Sequence, residues 1–522
     1  MRWTGLLLAL VVAVGLSECG ADIVWPDEYE KLKRVGARKP GKLQGMKLAY
    51  NESAQRQIPA AARPTGTLFD TFLPLKWRDH VLNLISRGVA KFTLDMDGAI
   101  ERTSPGGELG GNLVFSPISL TVTLAMILLA SSGQTFQEVV KILGLESGVD
   151  ITHHSEIVHQ MFGLLLQESD RGHLLNTAAP ECKFAFGVFV NNGYPVREQF
   201  KAVSQKIYKS EIMNVDFARR GREAQVMINQ WVSNKTLGNI REILNDQPSP
   251  STAVIILSAL YFKGEWNQHF MNPGTKRKPF AVSKNEVIQI DMMFNVGEFP
   301  YYENRNLDLK IVGLPYKGLE VMMYAILPIN STTSLKQLKS RLSPEVLNSL
   351  IENTTSKQCI VGFPKMKLSN SLELQSALRS LGLNSLFDPA TADLSVLSQG
   401  VKGDNQQQRP RAKRQQQRPI DEEFVQFLDS ANLPNFGVDE LRNSAGLRNP
   451  HLYADEVFHK VEMTIDETGT EAAAATSVIL NRSIDSKRFI ADRPFLFFIR
   501  HDPTKTIWFW GNILRPDYPT TT

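Results

Sequence analysis

Residues Asp466–Arg488, which read DETGTEAAAATSVILNRSIDSKR, decide how the rest of the chain is interpreted. The alanine run Ala472–Ala475 favours a helix, whereas the glycine, threonines and β-branched residues on either side of it disfavour one. Directly after this stretch come two apolar, strand-like runs around a polar turn, RPFLFFIRHDPTKTIWFWGNILRP. The sequence therefore predicts a conformationally undecided loop that is attached to a rigid core.

The composition of the chain is that of a globular protein. Hydrophobic residues make up 42% of the 522 residues, which is enough to bury a large core. The 58 Lys and Arg residues nearly balance the 54 Asp and Glu residues, so the formal net charge is only +4. This balance does not favour nucleic acid or an acidic surface as a partner.

The N-terminus has the pattern of a secretory signal peptide over residues 1–21, with Arg2 followed by the apolar run Leu6–Leu16. Residues 22–80, rich in Pro, Gly, Lys and Arg, predict an extension that lies on a core. The apolar run Val114–Ala130 contains Ser, Thr and Pro and predicts a buried helix rather than a membrane span. We therefore expect a secreted, extracellular, monomeric protein with no membrane contact.

Cysteine usage and glycosylation sequons fit a secreted chain without a disulfide framework. Of the three cysteines, Cys19 falls in the signal peptide, and Cys182 and Cys359 are interpreted as buried thiols, with a disulfide between them as the alternative. Asn-x-Ser/Thr sequons predict possible glycosylation sites. They are Asn51, Asn234, Asn330, Asn353 and Asn481.

Helical and strand-like segments alternate from residue 81 to residue 522, which favours one large α+β fold over separate domains. Ser116-Pro117 is a strong helix start, because Ser caps free amides and Pro is suited to the first turn. The predicted helices are Val81–Arg102, Ser116–Ala130, Ile157–Gln167 and Glu223–Leu244, and the predicted strands are Lys183–Val190, Val254–Phe262, Glu320–Pro328 and Cys359–Pro364.

Residues 399–448 interrupt this pattern with a polar, low-complexity segment centred on QQQRPRAKRQQQRP. Such a composition buries too little apolar surface to order itself, so we predict a disordered insertion. The simpler interpretation is a tolerated surface insertion. The sharper hypothesis is cleavage by a furin-like convertase, because Arg411, Lys413 and Arg414 match the R-x-K/R-R pattern.

No local signature of an enzyme occurs in the sequence. There is no G-x-S-x-G elbow, no H-E-x-x-H helix and no Walker A loop. His153, His154 and His159 lie close in sequence, but no cysteine or carboxylate cluster completes a metal site with them, so solvated helix histidines are the preferred interpretation. We expect a protein that is not an enzyme and needs no metal or cofactor.

Six motifs in register resemble those of the serpin family, and the resemblance covers about Val81–Pro516 without the insertion. They are NLVFSPISL from Asn112, INQWVSNKTLGNI from Ile228, ALYFKGEW from Ala259, MMYAILP from Met322, VFHKVEMTIDETGTEAAAAT from Val457 and ADRPFLFFIR from Ala491. The resemblance implies a fold of about nine helices and three β-sheets with an exposed reactive-centre loop.

The resemblance also implies a mechanism. A serine protease attacks the loop as a substrate, and the cut loop then inserts into the central sheet A before the acyl-enzyme hydrolyses. The hinge of that loop needs small residues with no firm commitment to helix or strand. The matching positions are Glu467, Gly469, Thr470, Glu471, Ala472, Ala473, Ala474, Ala475 and Thr476.

Further family positions can be assigned one by one. Ser116, Ser119 and His459 match the hydrogen-bonded shutter beneath sheet A, and Trp266 matches the breach at its top. Ser258 departs from the family, which usually has Asn at this shutter position, and the change removes an amide donor. The resemblance therefore predicts an altered ease of sheet opening in this chain.

The bond that the protease cuts determines the target class. The family spacing from Gly469 and Pro494 places it after Ser483, but Arg482 is the side chain that a trypsin-like pocket would bind. We predict cleavage at Arg482-Ser483, with Ser483-Ile484 as the alternative and Leu480 as a third choice. The predicted partner is an extracellular trypsin-like serine protease. The competing hypothesis is a non-inhibitory carrier, storage or interaction protein, because a glycan on Asn481 would obstruct docking.

Overall fold

The protein is built from two β-sheets and ten α-helices in the part of the chain that the structure describes. The structure, a computed structural model, describes residues 73, 75–105, 110–144, 155–175, 179–270, 274–399, 433–443, 447–468 and 486–516. The α+β class is confirmed. The helices are α1 Leu75–Thr103, α2 Pro117–Ala130, α3 Gly133–Leu143, α4 Ser155–Leu175, α5 Glu198–Tyr208, α6 Phe217–Lys235, α7 Leu335–Lys339, α8 Pro344–Glu352, α9 Gln375–Ser380 and α10 Val438–Asn443.

One sheet has five strands in the order β10-β11-β4-β2-β3, and the other has nine, in the order β1-β14-β13-β8-β7-β6-β9-β12 with β5 paired to β6. The strands are β1 Leu113–Phe115, β2 Glu181–Asn191, β3 Glu211–Val215, β4 Val254–Lys263, β5 Lys276–Ala281, β6 Val287–Asn304, β7 Leu309–Pro315, β8 Val321–Pro328, β9 Thr355–Pro364, β10 Met366–Glu373, β11 Glu456–Ile465, β12 Lys487–Ile490, β13 Phe495–His501 and β14 Thr506–Ile513.

The expected three sheets appear as two because one long strand joins two of them. Strand β6 has 18 residues. Its central part, Met292–Tyr301, pairs with β9, and its last residues, Tyr301–Asn304, pair with β7. Hydrogen bonding is therefore continuous through β6, and two layers that the resemblance separates count here as one nine-stranded sheet.

Helix α2 lies at the centre of the molecule, as the sequence predicts. All 14 of its residues are buried, and it contacts β4 of the five-stranded sheet and β14 of the nine-stranded sheet. The Ser116 side chain accepts a hydrogen bond from the Ser119 amide, and Pro117 occupies the first turn. This local chemistry fixes the start of the helix in agreement with the Ser-Pro signal.

Three predicted helices have boundaries that differ from the observed ones. Helix α4 spans Ser155–Leu175 instead of Ile157–Gln167. Helix α1 starts at Leu75, within the predicted extension. Helix α6 spans Phe217–Lys235 instead of Glu223–Leu244. Asp216 caps its first turn, and Leu237 and Gly238 adopt positive φ angles that end it.

The predicted disordered insertion, 399–448, is too long at its C-terminal end. Residues 433–443 are ordered, and Val438 and Leu441 are 0% and 4% exposed. The polar composition of the whole segment concealed this short apolar pair. Residues 400–432 and 444–446 of the insertion, and with them Arg411, Lys413 and Arg414, lie outside the described residues.

Several other predicted features also lie outside the described residues. They are the signal peptide 1–21, most of the extension 22–80, Asn51, His153 and His154, the hinge from Gly469 to Thr476, and the segment with Leu480, Asn481, Arg482, Ser483 and Ile484.

Candidate functional site

The centre of the five-stranded sheet is a direct parallel pairing of β4 with β11. The register runs from Glu456 opposite Ile255 to Glu462 opposite Tyr261. Both strands continue beyond this register, β4 to Lys263 and β11 to Ile465, without pairing with each other. We call the boundary between the two strands the parting line. The two strands are hydrogen-bonded to each other along the whole register. At the upper end, which is the end nearest Trp266, this pairing stops before either strand ends.

A buried hydrogen-bonded cluster crosses the middle of the parting line and brings together the four predicted shutter residues. His459 on β11 lies directly opposite Ser258 on β4. His459 Nδ1 is 3.1 Å from Ser258 Oγ, which is 2.6 Å from Ser119 Oγ on α2. The Ser116 amide donates to His459 Nε2 at 2.9 Å. All four residues are completely buried, so the cluster connects both strands to the helix beneath them.

The hydrogen bonds determine the protonation state of His459. A backbone amide can only donate, so Nε2 must accept from Ser116 and the proton must lie on Nδ1, which donates to Ser258 Oγ. Burial lowers the pKa of His459 to about 3. A second proton on Nε2 would face the Ser116 amide, so the neutral ring is the form that this cluster requires.

Ser258 makes two contacts despite being the departure from the family residue. Its hydroxyl links His459 to Ser119. Serine carries one donor, whereas an asparagine amide carries two. Ser258 therefore still provides an acceptor for His459, and the altered ease of sheet opening stays a prediction.

The predicted breach residue Trp266 lies at the upper end of the parting line. It is 1% exposed, its ring stacks on Tyr316 with centroids 4.4 Å apart, and its Nε1 donates to the Asp466 carbonyl at 2.9 Å. Its amide donates to the Thr468 carbonyl at 3.0 Å. Trp266 therefore holds the last described residues of the chain before Gly469.

Glu467 is held at the same place by an ion pair. Lys365 Nζ lies 2.9 Å from Glu467 Oε2, and Thr275 Oγ1 donates to Oε1 at 2.7 Å. Burial opposes ionisation of Glu467, but the hydrogen bonds from Lys365 and Thr275 outweigh it and keep the pKa below its usual value. The ionised carboxylate fixes the position where the chain leaves β11.

Three residues at the two ends of the parting line were not predicted. Lys365 and Thr275 hold Glu467, and Asp455 holds the lower end, where its Oδ2 accepts from the amides of Ala253 at 2.5 Å and Val254 at 3.2 Å. Their positions follow from long-range strand pairing, which no local pattern reports. The signal available for Asp455 was an acidic residue immediately before a strand.

The remaining predicted residues that the structure describes have ordinary structural surroundings. Cys182 and Cys359 are buried thiols with no disulfide between them, and burial raises the pKa of Cys359 to about 11. His159 was predicted to be solvated, but it is completely buried. Its Nδ1 forms a hydrogen bond with the Tyr208 hydroxyl. The sequon residues Asn234, Asn330 and Asn353 are all exposed. No helix in the described ranges is long and apolar enough to cross a membrane.

Comparison with known proteins agrees with this geometry. The family model described as "Serpin (serine protease inhibitor)" matches residues 87–516. Serine protease inhibitor 28Dc of Drosophila melanogaster is 28% identical over 92% of this chain and 88% of its own length. Leukocyte elastase inhibitor of Xenopus tropicalis is 31% identical over 78% of this chain and 93% of its own length.

A solved structure shows the same fold. Serpin48 of the insect Tenebrio molitor aligns with a TM-score of 0.62 at 24% identity, covering 83% of this chain and 99% of that one. The family match spans most of the chain and includes the sheet, the parting line and the residues at both of its ends. The chain belongs to the serpin family.

Proposed function

We propose that this serpin is an extracellular suicide inhibitor of a trypsin-like serine protease. The observation that carries the proposal is the parting line, a closed parallel pair of strands whose pairing ends early where the chain leaves β11. A segment that starts at Glu467 and has small residues from Ala472 to Ala475 is suited to entering that line as a new strand.

In the proposed reaction, the protease serine attacks the carbonyl of Arg482. The bond to Ser483 breaks, Ser483 leaves with a free amine, and Arg482 stays joined to the protease as an ester. Insertion of the cut segment between β4 and β11 then carries the protease away from its docking position before water cleaves the ester. Arg482 supports a trypsin-like target, because a basic side chain pairs with the acid of such a pocket.

Incubation with trypsin tests the proposal. We expect a complex that survives SDS electrophoresis and a released C-terminal fragment that begins at Ser483. A fragment that begins at Ile484 would move the bond by one residue, and one that begins at Asn481 would place it after Leu480. An elastase sample is a useful comparison, since relatives carry the name leukocyte elastase inhibitor.

Two variants separate inhibition from simple cleavage. Arg482→Ala should abolish the complex with trypsin, because the specificity side chain is lost. Ala474→Arg should leave cleavage intact but prevent the complex, since a long charged side chain cannot enter a buried sheet. A complex that forms equally well with Ala474→Arg would contradict the insertion mechanism.

A non-inhibitory function is the competing candidate, and the sequon at Asn481 favours it. A glycan beside the bond would block docking and could not slide into the sheet. Cleavage by trypsin without a stable complex, in wild type and in Asn481→Gln alike, would support this second function. A complex that appears only with Asn481→Gln would show that the glycan controls inhibition.

Secretion, glycosylation and processing are further proposals that the same preparation tests. The exposure of Asn234, Asn330 and Asn353 permits glycans there. We expect a glycosidase-sensitive mass increase in the culture medium of producing cells. A tolerated surface insertion is the preferred interpretation of residues 399–448, and cleavage after Arg414 in convertase-competent cells is the alternative hypothesis. A single uncleaved mature chain would rule this cleavage out.

A further inference from the structure

Residues Leu433–Asn443, which we call the strap, lie on the N-terminus of α4. The Glu156 carboxylate accepts from two strap amides, Phe436 and Val438, both at 2.5 Å. Gln160 Nε2 donates to the Pro434 carbonyl at 2.9 Å. Glu156 of α4 therefore holds the amide of Val438, which has no intrahelical partner because Val438 is the first residue of α10, and the amide of Phe436 just before that helix.

The strap returns the same type of contact to α4. Asp439 Oδ1 accepts from the Ser155 hydroxyl at 2.9 Å and from the Glu156 amide at 3.2 Å. The two helices thus cap each other's N-termini with one carboxylate each. Burial raises the pKa of Glu156 above its usual value, although the two strap amides favour its ionised form.

Further strap contacts reach three more helices. Arg442 donates to the Leu128 carbonyl of α2 at 2.9 Å, and its guanidinium lies 4.1 Å from the centre of the Phe136 ring on α3. Lys206 of α5 lies 5.1 Å from the centre of the Phe436 ring. The 0% exposure of Val438 shows that the strap is packed against these helices and not loosely laid on them.

The strap connects the two sides of the parting line. It precedes β11 in the chain, and within the described residues 447–455 the Asn449 side chain and the Ala454 amide donate to the carbonyls of Ala392 and Leu386. Two of the helices that the strap contacts belong to the other side, since α4 contacts β2 and α5 contacts β3. A segment that precedes β11 is therefore anchored on elements that pack on the β4 side of the parting line.

Opening of the parting line would strain this connection. Neighbouring strands are about 4.8 Å apart, so a strand inserted between β4 and β11 would separate them by about 9.6 Å. The lower end is tied as well, because Asp455 bonds to Ala253 and Val254. Either the strap contacts yield during insertion, or they resist it.

We propose that the strap is a brake that holds the five-stranded sheet closed and sets the rate at which a strand can enter it. The Asp439–Ser155 and Glu156–Val438 hydrogen bonds attach the strap to α4. The chain that leads from the strap to β11 would transmit the restraint to that strand. The role as a brake on inhibition rests on the proposed function, but strand entry can be measured without a protease.

The test uses the full-length uncleaved protein and a synthetic peptide of residues 470–483, TEAAAATSVILNRS, which supplies the entering strand. Binding of the labelled peptide is followed by native electrophoresis over time. Asp439→Ala, which removes the acceptor of both bonds, should accelerate binding by about fivefold, the factor expected for the loss of one helix cap. Ser155→Ala, which removes only the hydroxyl donor, should accelerate it less and serves if Asp439→Ala fails to fold.

Asp308→Ala is the control. Asp308 accepts from the Asn330 amide at 3.0 Å and from the Thr333 hydroxyl at 2.5 Å, the same two types of donor as at Asp439, and also lies 3.6 Å from Arg341. It belongs to the turn between β6 and β7, so peptide binding by Asp308→Ala should be as fast as binding by wild type. Equal rates in all variants, rates raised as much by Asp308→Ala as by Asp439→Ala, or no peptide binding by any of them would overturn the brake.

The outcomes for the brake and for the proposed function are distinguishable. A wild-type protein that gives no SDS-stable complex with trypsin, but whose peptide binding is accelerated by Asp439→Ala, would support the brake and contradict the inhibitory function. A stable complex with wild type, together with unaltered peptide binding in Asp439→Ala, would do the reverse.

Discussion

The upper and lower ends of the parting line are held in different ways. At the upper end, strand pairing stops at Tyr261 and Glu462, and side chains such as Trp266 and Glu467 hold the departing chain. At the lower end, Asp455 bonds to the backbone of the neighbouring strand, and the strap adds contacts on four helices. If the proposed strand insertion takes place, this contrast favours opening from the upper end, because the lower end carries the additional contacts of Asp455 and the strap.

The largest effect should come from Trp266→Ala, which tests the upper end. Loss of a buried aromatic residue and its stacking on Tyr316 should cost about 3–5 kcal/mol of unfolding free energy, measured by chemical denaturation. Trp510→Ala is the matched control, because Trp510 is equally buried but belongs to the nine-stranded sheet. Both variants should lose similar stability, and only Trp266→Ala should speed peptide binding. Similar acceleration in both would remove the distinction between the two sites.

A smaller, pH-dependent effect is expected from His459→Phe in the middle of the parting line. Burial holds the pKa of folded His459 at about 3, whereas an unfolded histidine has a pKa near 6.5. Between these values only the unfolded chain takes up the proton, so His459 destabilises the folded state as pH falls. His459→Phe has no such group. The difference in unfolding free energy by which wild type exceeds the variant should therefore shrink by about 1.4 kcal/mol per pH unit below 6.5.

His501→Phe provides the control for that measurement. Burial also lowers the pKa of His501 to about 3, but the residue lies on β13 of the nine-stranded sheet. The pH dependence of unfolding should change in the same way, while peptide binding stays at the wild-type rate. A His459→Phe variant that keeps the full wild-type pH slope would contradict the neutral buried state.

Ser258→Ala should have the next largest effect on the free energy of unfolding. It leaves the Nδ1 proton of His459 without an acceptor, which costs roughly 1–3 kcal/mol when the group is buried. Unfolding by urea measures the loss. The control is Ser204→Ala, since Ser204 also bonds to a buried hydroxyl, that of Ser210 at 2.7 Å, away from the parting line. Only Ser258→Ala should change the rate of peptide binding.

The smallest effect is expected from Lys91→Ala on α1. Lys91 pairs with Asp95 at 2.6 Å, but both side chains are largely exposed, at 60% and 44%. Exposed pairs contribute about 0.5 kcal/mol or less. The melting temperature and peptide binding should both match wild type. A clear change in peptide binding would show that the rate does not report specifically on the parting line.

Features that depend on neighbouring residues could be predicted from the sequence. The start of α2 follows from Ser116 and Pro117. The predicted strand Lys183–Val190 appears as β2, Glu181–Asn191, with two additional residues at its start and one at its end. The shutter and breach residues were assigned through motifs, and the structure brings Ser116, Ser119, Ser258 and His459 into one cluster.

Features that depend on distant pairing or on one side of a helix were missed. Val254 and Asp455 meet across 201 residues of sequence. His159 was predicted to be solvated, although Ser155, His159, Phe162 and Leu166 recur at helical spacing and are all buried. The strap was missed because its polar context outweighed Val438 and Leu441, three residues apart on one face.

The direction of the strands at the parting line has an energetic consequence. In this sheet β10 and β11 are antiparallel, β4 and β2 are antiparallel, and β2 and β3 are parallel. At the parting line β4 and β11 are parallel as well. A strand that reverses after Ile465 and enters there would be antiparallel to both neighbours. One slanted parallel ladder would be exchanged for two perpendicular antiparallel ones, which are slightly more stable per residue. The entering strand would thus make the sheet antiparallel from β10 to β2 and leave β2 and β3 as a parallel pair at its edge.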